Sequence, residues 1–285
     1  MIVFSAATHP GRKHALNEDS IGWNESKSLW LVADGMGGHA AGEVASQIAK
    51  DKVLEEVASG TVLCNAVKRA HHAVRDAAFA NSQQAGMGTT IVAARINGYL
   101  AELVWVGDSR AYLWREGVLK TVTSDHSFMQ MLIDNEQLTP EEAHKHPQRN
   151  IVTQVLGVGD PNPDRLTVRL QNHDCLLLCS DGLNDELLHD EIAEILGGNL
   201  DAESTTTRLI EAACDAGGRD NISAILIKYD GESAPDSEDT TIRRLVPAKL
   251  ELEESQTGLF DGGIPGILVA GIVLAVLFAA LFILF

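Results

Sequence analysis

Short apolar runs alternate along this chain with longer stretches whose apolar residues recur every three or four positions, and the two patterns predict different elements. Runs at 2–8, 29–33, 91–96, 99–106, 111–115, 166–170, 175–179 and 222–229 are brief, aliphatic or aromatic, and bounded by polar or turn-forming residues. They predict strands. Asn97-Gly98 between two of them is a hairpin signal. Residues 42–58, 62–81, 185–196 and 205–216 have helical spacing with charged residues between the apolar ones, which predicts helices with one wet face. Strand groups dominated by hairpins and separated by helix pairs favour antiparallel sheets covered by helices, an α+β architecture.

Between 124 and 157 the chain turns polar and mixed. Met129, Met131 and Leu132 mark one short helix there, and Thr139-Pro140-Glu141-Glu142 marks the start of another, with Thr as N-cap and Pro in the first turn. This stretch reads as an insertion rather than core. Residues 231–263 form a linker of eight acids, three bases and few apolar residues, for which disorder is expected. Within it, Asp239-Thr240-Thr241-Ile242-Arg243 has the look of a phosphorylation site, a string that also arises by chance. Residues 264–285 carry no charge and would extend about 33 Å as a helix, the thickness of a bilayer core. They predict a single-pass transmembrane anchor. Gly271, Ala275 and Ala279 recur every four residues along it and suggest a helix-pairing face for a dimer.

The net charge of −18 argues against a nucleic-acid surface. It also repels phosphorylated ligands at long range, so a phosphate site here must bring its own positive charge, which bound metal would supply. Cys64, Cys175, Cys179 and Cys214 form no CxxC pair and read as reduced core residues. With no secretory signal at residues 1–14, the expected location is the inner (cytoplasmic) membrane with residues 1–230 in the cytosol.

The chemistry concentrates at three turns. Val32-Ala33-Asp34-Gly35-Met36-Gly37-Gly38-His39 ends an apolar run in an acid followed by glycines, so Asp34 is expected at a strand end with open backbone behind it. Asp181-Gly182 and Asp220-Asn221 follow or precede strands in similar settings. Singly, each acid reads as a turn cap. Together they invite a shared site for a hard cation. Arg12, Lys13 and His14 lie beside Glu18 and Asp19, either as a solvated loop or as a phosphate-binding cation next to metal-associated acids.

These motifs together resemble the bacterial metal-dependent serine/threonine protein phosphatases of type 2C, the PPM family. Asn17-Glu18-Asp19, DGMGGH, GTT, VGDSR, the segments at 146–157, CSDGL and GRDNIS occur in the family's order between about Thr8 and Tyr229. The resemblance implies a four-layer α-β-β-α sandwich of two antiparallel sheets over residues 1–230, with a mobile flap at about 127–150. It implies two or three Mg²⁺ or Mn²⁺ ions. Asp34 would bridge two of them, with the Gly35 carbonyl on one and Asp181 and Asp220 on the other. Asp108 would join Asp181 on a third, and Glu18 and Asp19 would hold metal-bound water. The implied reaction is hydrolysis of phosphoserine or phosphothreonine by hydroxide bridging the ions, without a phosphoenzyme, on proteins phosphorylated by a cognate Ser/Thr kinase. Oxygen-only ligands agree with these ions and disfavour zinc.

One position departs from the family. His14 stands where members usually carry an arginine that grips the substrate phosphate. Either Arg12 reaches in, or protonated His14 binds the phosphate, or the grip is weakened. His39 is a candidate general acid for the leaving group, or a structural turn residue. The rival to the enzyme is a pseudophosphatase that keeps the fold and binds phosphoproteins. A lipid-phosphate or nucleotide hydrolase is a third reading, resting only on the membrane tail.

Overall fold

The structure, a computed structural model, describes residues 1–38, 41–198, 200–233 and 242–244. The chain divides into one compact unit, Met1–Val246, and a second, Pro247–Phe285, which lies outside the described residues together with the predicted anchor and its Gly271, Ala275 and Ala279 face. Among the described residues no helix is long and apolar enough to cross a membrane.

In chain order the strands are β1 (Ile2–His9), β2 (Asp19–Asn24), β3 (Leu29–Met36), β4 (Gly88–Thr89), β5 (Ile91–Asn97), β6 (Leu100–Val106), β7 (Arg110–Arg115), β8 (Val118–Thr121), β9 (Asp164–Arg169), β10 (Asp174–Cys179), β11 (Ile222–Tyr229) and β12 (Ile242–Arg244). The helices are α1 (Ala41–Ala58), α2 (Leu63–Ala80), α3 (Phe128–Asp134), α4 (Pro140–His144), α5 (Asp181–Asn184), α6 (His189–Gly197) and α7 (Ala202–Ala216). One sheet runs β1-β11-β10-β7-β8 and the other β12-β9-β6-β5-β3-β2, with β4 paired to β3; every pairing is antiparallel.

The period of two along β3 builds the layers. Leu29, Leu31 and Ala33 face α1 and α2 in one core, while Trp30 and Val32 face the other sheet in a second. β10 does the same from the opposite side: Leu176 and Leu178 enter the core between the sheets, and Leu177 and Cys179 pack against α6 and α7. Central strands of both sheets are therefore buried on both faces. The result is two antiparallel sheets flanked by helices, as expected.

Four local differences have physical reasons. β3 continues through Asp34 to Met36, because β4 pairs with Gly35 and Met36, so Asp34 sits inside a strand rather than at its end. β2 and β8 were not legible: DSIGWN and VLKT carry too few apolar residues to stand out, and pairing to β3 and β7 holds them. The helix predicted at 185–196 starts only at His189, as α6, and a separate short helix, α5, precedes it over Asp181–Asn184. Glu186 between them is taken up by Arg219, and Leu188 N donates to Glu191 Oε2 at 2.7 Å to start α6. Inside the predicted disordered linker, Ile242–Arg244 pairs with the open edge of β9, satisfying amides that an edge strand leaves free.

The inter-sheet core sets the stability. Leu178→Ala, at a site with no exposed surface, should lower unfolding free energy by about 2–5 kcal/mol in urea titrations. Val118→Ala, on an exposed strand end, should stay within about 0.5 kcal/mol.

Candidate metal centre and cleft

Strands of both sheets deliver their acids to one edge of the sandwich. Asp34 lies opposite Asp19 in the β2–β3 pairing, Asp108 follows β6 where the chain crosses to β7, Asp181 follows β10, and Asp220 precedes β11. Asp34, Asp108, Asp181 and Asp220, with Glu18 and His14, line a cleft of about 680 Å³. Asp19 is buried behind it and is absent from the lining.

Neutral side chains, most of them in the quoted motifs, hold these acids in place. Thr90 N and Thr89 Oγ1 each donate to the Asp34 carbonyl at 2.8 Å, and the Thr90 hydroxyl meets Ser109 Oγ at 2.7 Å, which ties Asp34 to the loop carrying Asp108. Ser180 Oγ donates to Asp19 Oδ2 at 2.7 Å and accepts from Ser223 N at 3.0 Å. Asn221 Nδ2 donates to the carbonyls of Pro10 and Leu16, and its Oδ1 accepts from Glu18 N at 2.7 Å. One buried amide thus fastens the Arg12–Glu18 loop to the Asp220 turn. Gly35 is packed so closely that a Cβ would lie 2.1 Å from the Gly42 carbonyl oxygen, so no side chain fits there.

Burial and mutual repulsion push these carboxyls up. Asp34 and Asp181 stand well above the ordinary carboxylate range, first through burial, then through the charges of Asp19 on Asp34 and of Asp108 on Asp181. Burial, followed by the charge of Asp125, raises Asp108 to about 7, and burial raises Asp19 to about 6 against two opposing hydrogen bonds from serines. Glu18 is raised as well, mainly by burial. Among the described residues that line the cleft there is no Lys or Arg to neutralise them. Asp181 Oδ1 and Asp19 Oδ1 are buried without a hydrogen-bond partner.

This donor set fits hard divalent cations: oxygen atoms only, surplus negative charge, and buried carboxylate oxygens left unbonded. No three His, Cys, Asp or Glu side chains among the described residues close into a ready cage for one ion.

The two basic candidates separate. Arg12 donates to Asp215 at 2.6 Å and does not line the cleft, whereas His14 lines it with Nε2 3.6 Å from Asp220 Oδ1. His39 lies outside the described residues. Of the flap, α3 and α4 are present; Thr139 caps α4 in a capping box, and Ser127 pairs with Val152 at the base. Cys179 is buried among the β10 contacts with its thiol pushed up to about 12, so it offers no thiolate nucleophile. Not anticipated were Asn221, Ser180 and Thr90 as anchors. Also missed was the Arg110–Asp125 pair, in which Nε and Nη2 of Arg110 both grip the carboxylate beside Asp108.

A family model described as protein phosphatase 2C matches residues 8–226. The chain belongs to the protein phosphatase 2C family. Family members similar to it include the serine/threonine protein phosphatase PstP of Mycobacterium tuberculosis, 38% identical over 242 residues, a match covering 81% of this chain and 46% of that protein. The chain thus spans about half the length of the mycobacterial relative. Protein phosphatase PhpP of Streptococcus pneumoniae is 36% identical over 247 residues, covering 81% of this chain and 98% of PhpP. The crystal structure of the catalytic domain of PstP in complex with two manganese ions superposes with a TM-score of 0.72 at 35% identity, covering 80% of this chain and 97% of that one.

Two measurements follow from this geometry. Asn221→Ala strips three hydrogen bonds from a buried position and should cost about 2–4 kcal/mol in thermal or urea unfolding. Asp19 and Asp108 ionise near 3.8 when unfolded but near 6 and 7 when folded, so the metal-free fold holds more protons and loses stability as pH rises from about 4 to 7. Added manganese should therefore raise the melting temperature more at pH 8 than at about pH 5.5, read by calorimetry against EDTA-treated protein.

Proposed function

We propose that this chain is a metal-dependent protein serine/threonine phosphatase tethered to the inner membrane, with its phosphatase domain at residues 1–230 facing the cytosol. The single observation that carries the reading is the cleft in which four aspartates with Glu18 stand together without a neutralising Lys or Arg. Mutually repelling carboxylates at one point have no use in a scaffold without cations. In this reading Asp34, the Gly35 carbonyl, Asp181 and Asp220 hold two Mg²⁺ or Mn²⁺ ions, and Asp108 with Asp181 holds a third. When bound, these ions supply positive charge for the phosphoryl oxygens and bring the pKa of water near neutral.

The chain's own residues do the rest. Glu18 and Asp19 hold metal-bound water behind the ion ligands, Asp19 steadied by Ser180. His14, at the mouth, faces the substrate phosphate, and its hold is strongest when it is protonated. Arg12 pairs with Asp215 on the exposed surface and does not line the cleft, which favours His14 for the phosphate grip. His39 is assigned as donor to the departing Ser or Thr oxygen. Turnover through a cysteinyl phosphate is disfavoured by the raised Cys179 thiol. The substrates are phosphoproteins made by a Ser/Thr kinase. The uncharged stretch at 264–285 supports the anchor, and its Gly271, Ala275 and Ala279 face supports pairing of two copies.

The second reading, a phosphoprotein-binding pseudophosphatase, is favoured by one feature, the missing arginine at His14. Phosphate release from a phosphothreonine peptide by the manganese-loaded chain decides between them. Asp181→Asn should lower kcat/KM by about a hundredfold or more. His14→Arg should lower KM. Binding without release by the folded, metal-loaded protein would leave the pseudophosphatase reading.

A further inference from the structure

The cleft is longer than the acid cluster needs. Beyond Asp34 and Asp181 its lining continues along Val155, Val158, Gly159, Asp160 and Pro161, the segment that leads into β9. Val158 is nearly half exposed, although it belongs to an apolar wall. Gly159 faces empty space, with nothing within 4 Å of where a Cβ would stand. Asp160 is exposed, lines the same wall, and has no ion pair or hydrogen bond among the described residues. This wall is apolar with one acid, which has no ion pair or hydrogen bond among the described residues but lies within electrostatic reach of the buried His71.

It is also held in shape without a ligand. Leu156 and Thr89 exchange two backbone hydrogen bonds, Gly157 N donates to the buried His71 Nδ1 at 3.0 Å, and Asn162 N donates to Gln154 Oε1 at 2.9 Å. Gly157 has a positive φ of 92°, and a Cβ there would lie 2.5 Å from Val74 Cγ1, so this bend is fixed by packing against α2. A preformed wall discriminates between ligands at little ordering cost.

We propose that this wall selects the residues beside the phosphorylated side chain, favouring an apolar residue against Val158 and a Lys or Arg opposite Asp160. The inference rests on the phosphatase reading and specifies its substrate class. The phosphate end of the cleft fixes where the phosphorylated residue lies, and the wall is continuous with it, so substrate main chain is the occupant that reaches both. Charge complementarity sets the sign. The molecule carries a net charge of −18, and Asp160 is an exposed acid without an ion pair or hydrogen bond among the described residues, so a flanking acid is repelled and a flanking base attracted.

The test is phosphate release by the full chain, loaded with manganese, from phosphothreonine peptides that differ only in the flanking residues: Leu with Lys, Leu with Glu, and Ser with Lys. The Leu-Lys peptide should exceed the Leu-Glu peptide about fivefold in kcat/KM, the size of an exposed charge pair. Asp160→Lys should invert that ratio. Val158→Ser should erase the preference of Leu over Ser while keeping that of Lys over Glu. Equal rates on all three peptides in the wild type, or ratios unchanged in both variants, overturn this inference and leave the phosphatase reading standing. No release from any peptide by the wild type removes both.

Discussion

Carboxylates that must stand close together constrain everything else in this structure. Two unit charges about 4 Å apart repel by about 4 kcal/mol at the effective dielectric of a protein surface, and here several acids share one cleft. Without cations the cluster relieves this by holding protons, which is why Asp34 and Asp181 lie well above the ordinary carboxylate range and Asp108 reaches about 7. A fold that keeps them together must therefore resist a force pushing them apart.

The sandwich does so by placing Asp34 inside β3 and the other acids at strand ends or turns whose neighbouring strands are apolar and buried. β3, β6, β10 and β11 are buried on both faces, so their ends do not drift. At the edge, where apolar packing stops, neutral hydrogen bonds take over: Thr89 and Thr90 on the Asp34 backbone, Ser180 on Asp19, Asn221 on the Glu18 loop. Charged anchors stand one step back. Arg110 on Asp125 and Arg219 on Glu186 brace the turns carrying Asp108 and Asp220 without entering the cleft, where a guanidinium would compete with bound cations.

The layers were legible because β3 opens with the unbroken apolar run Leu29–Ala33 and β10 carries Cys175–Cys179 without a charge, and because α2 and α7 keep a clean apolar stripe. The acids were legible because Asp34, Asp181 and Asp220 sit beside glycine or asparagine at the ends of such runs. β2 was hidden because Asp19, Ser20 and Gly22 occupy half of it, and the reason they do is the site itself: Asp19 must face Asp34. The anchors were hidden for another reason. Asn221 and Ser180 bond to groups up to 211 residues away, a relation that periodicity cannot express. Arg12 and His14 are two positions apart, and only the third dimension turns one to Asp215 and the other to the cleft.

Where divalent ions bind decides what this cleft does. Anomalous diffraction from crystals grown with manganese measures this directly. Two strong peaks are expected in the cleft, each within about 2.2 Å of an oxygen of Asp34, Gly35, Asp181 or Asp220, with a weaker third beside Asp108. A cleft without peaks at saturating manganese, or ions bound only to acids elsewhere on the surface, would contradict the metal-dependent reading.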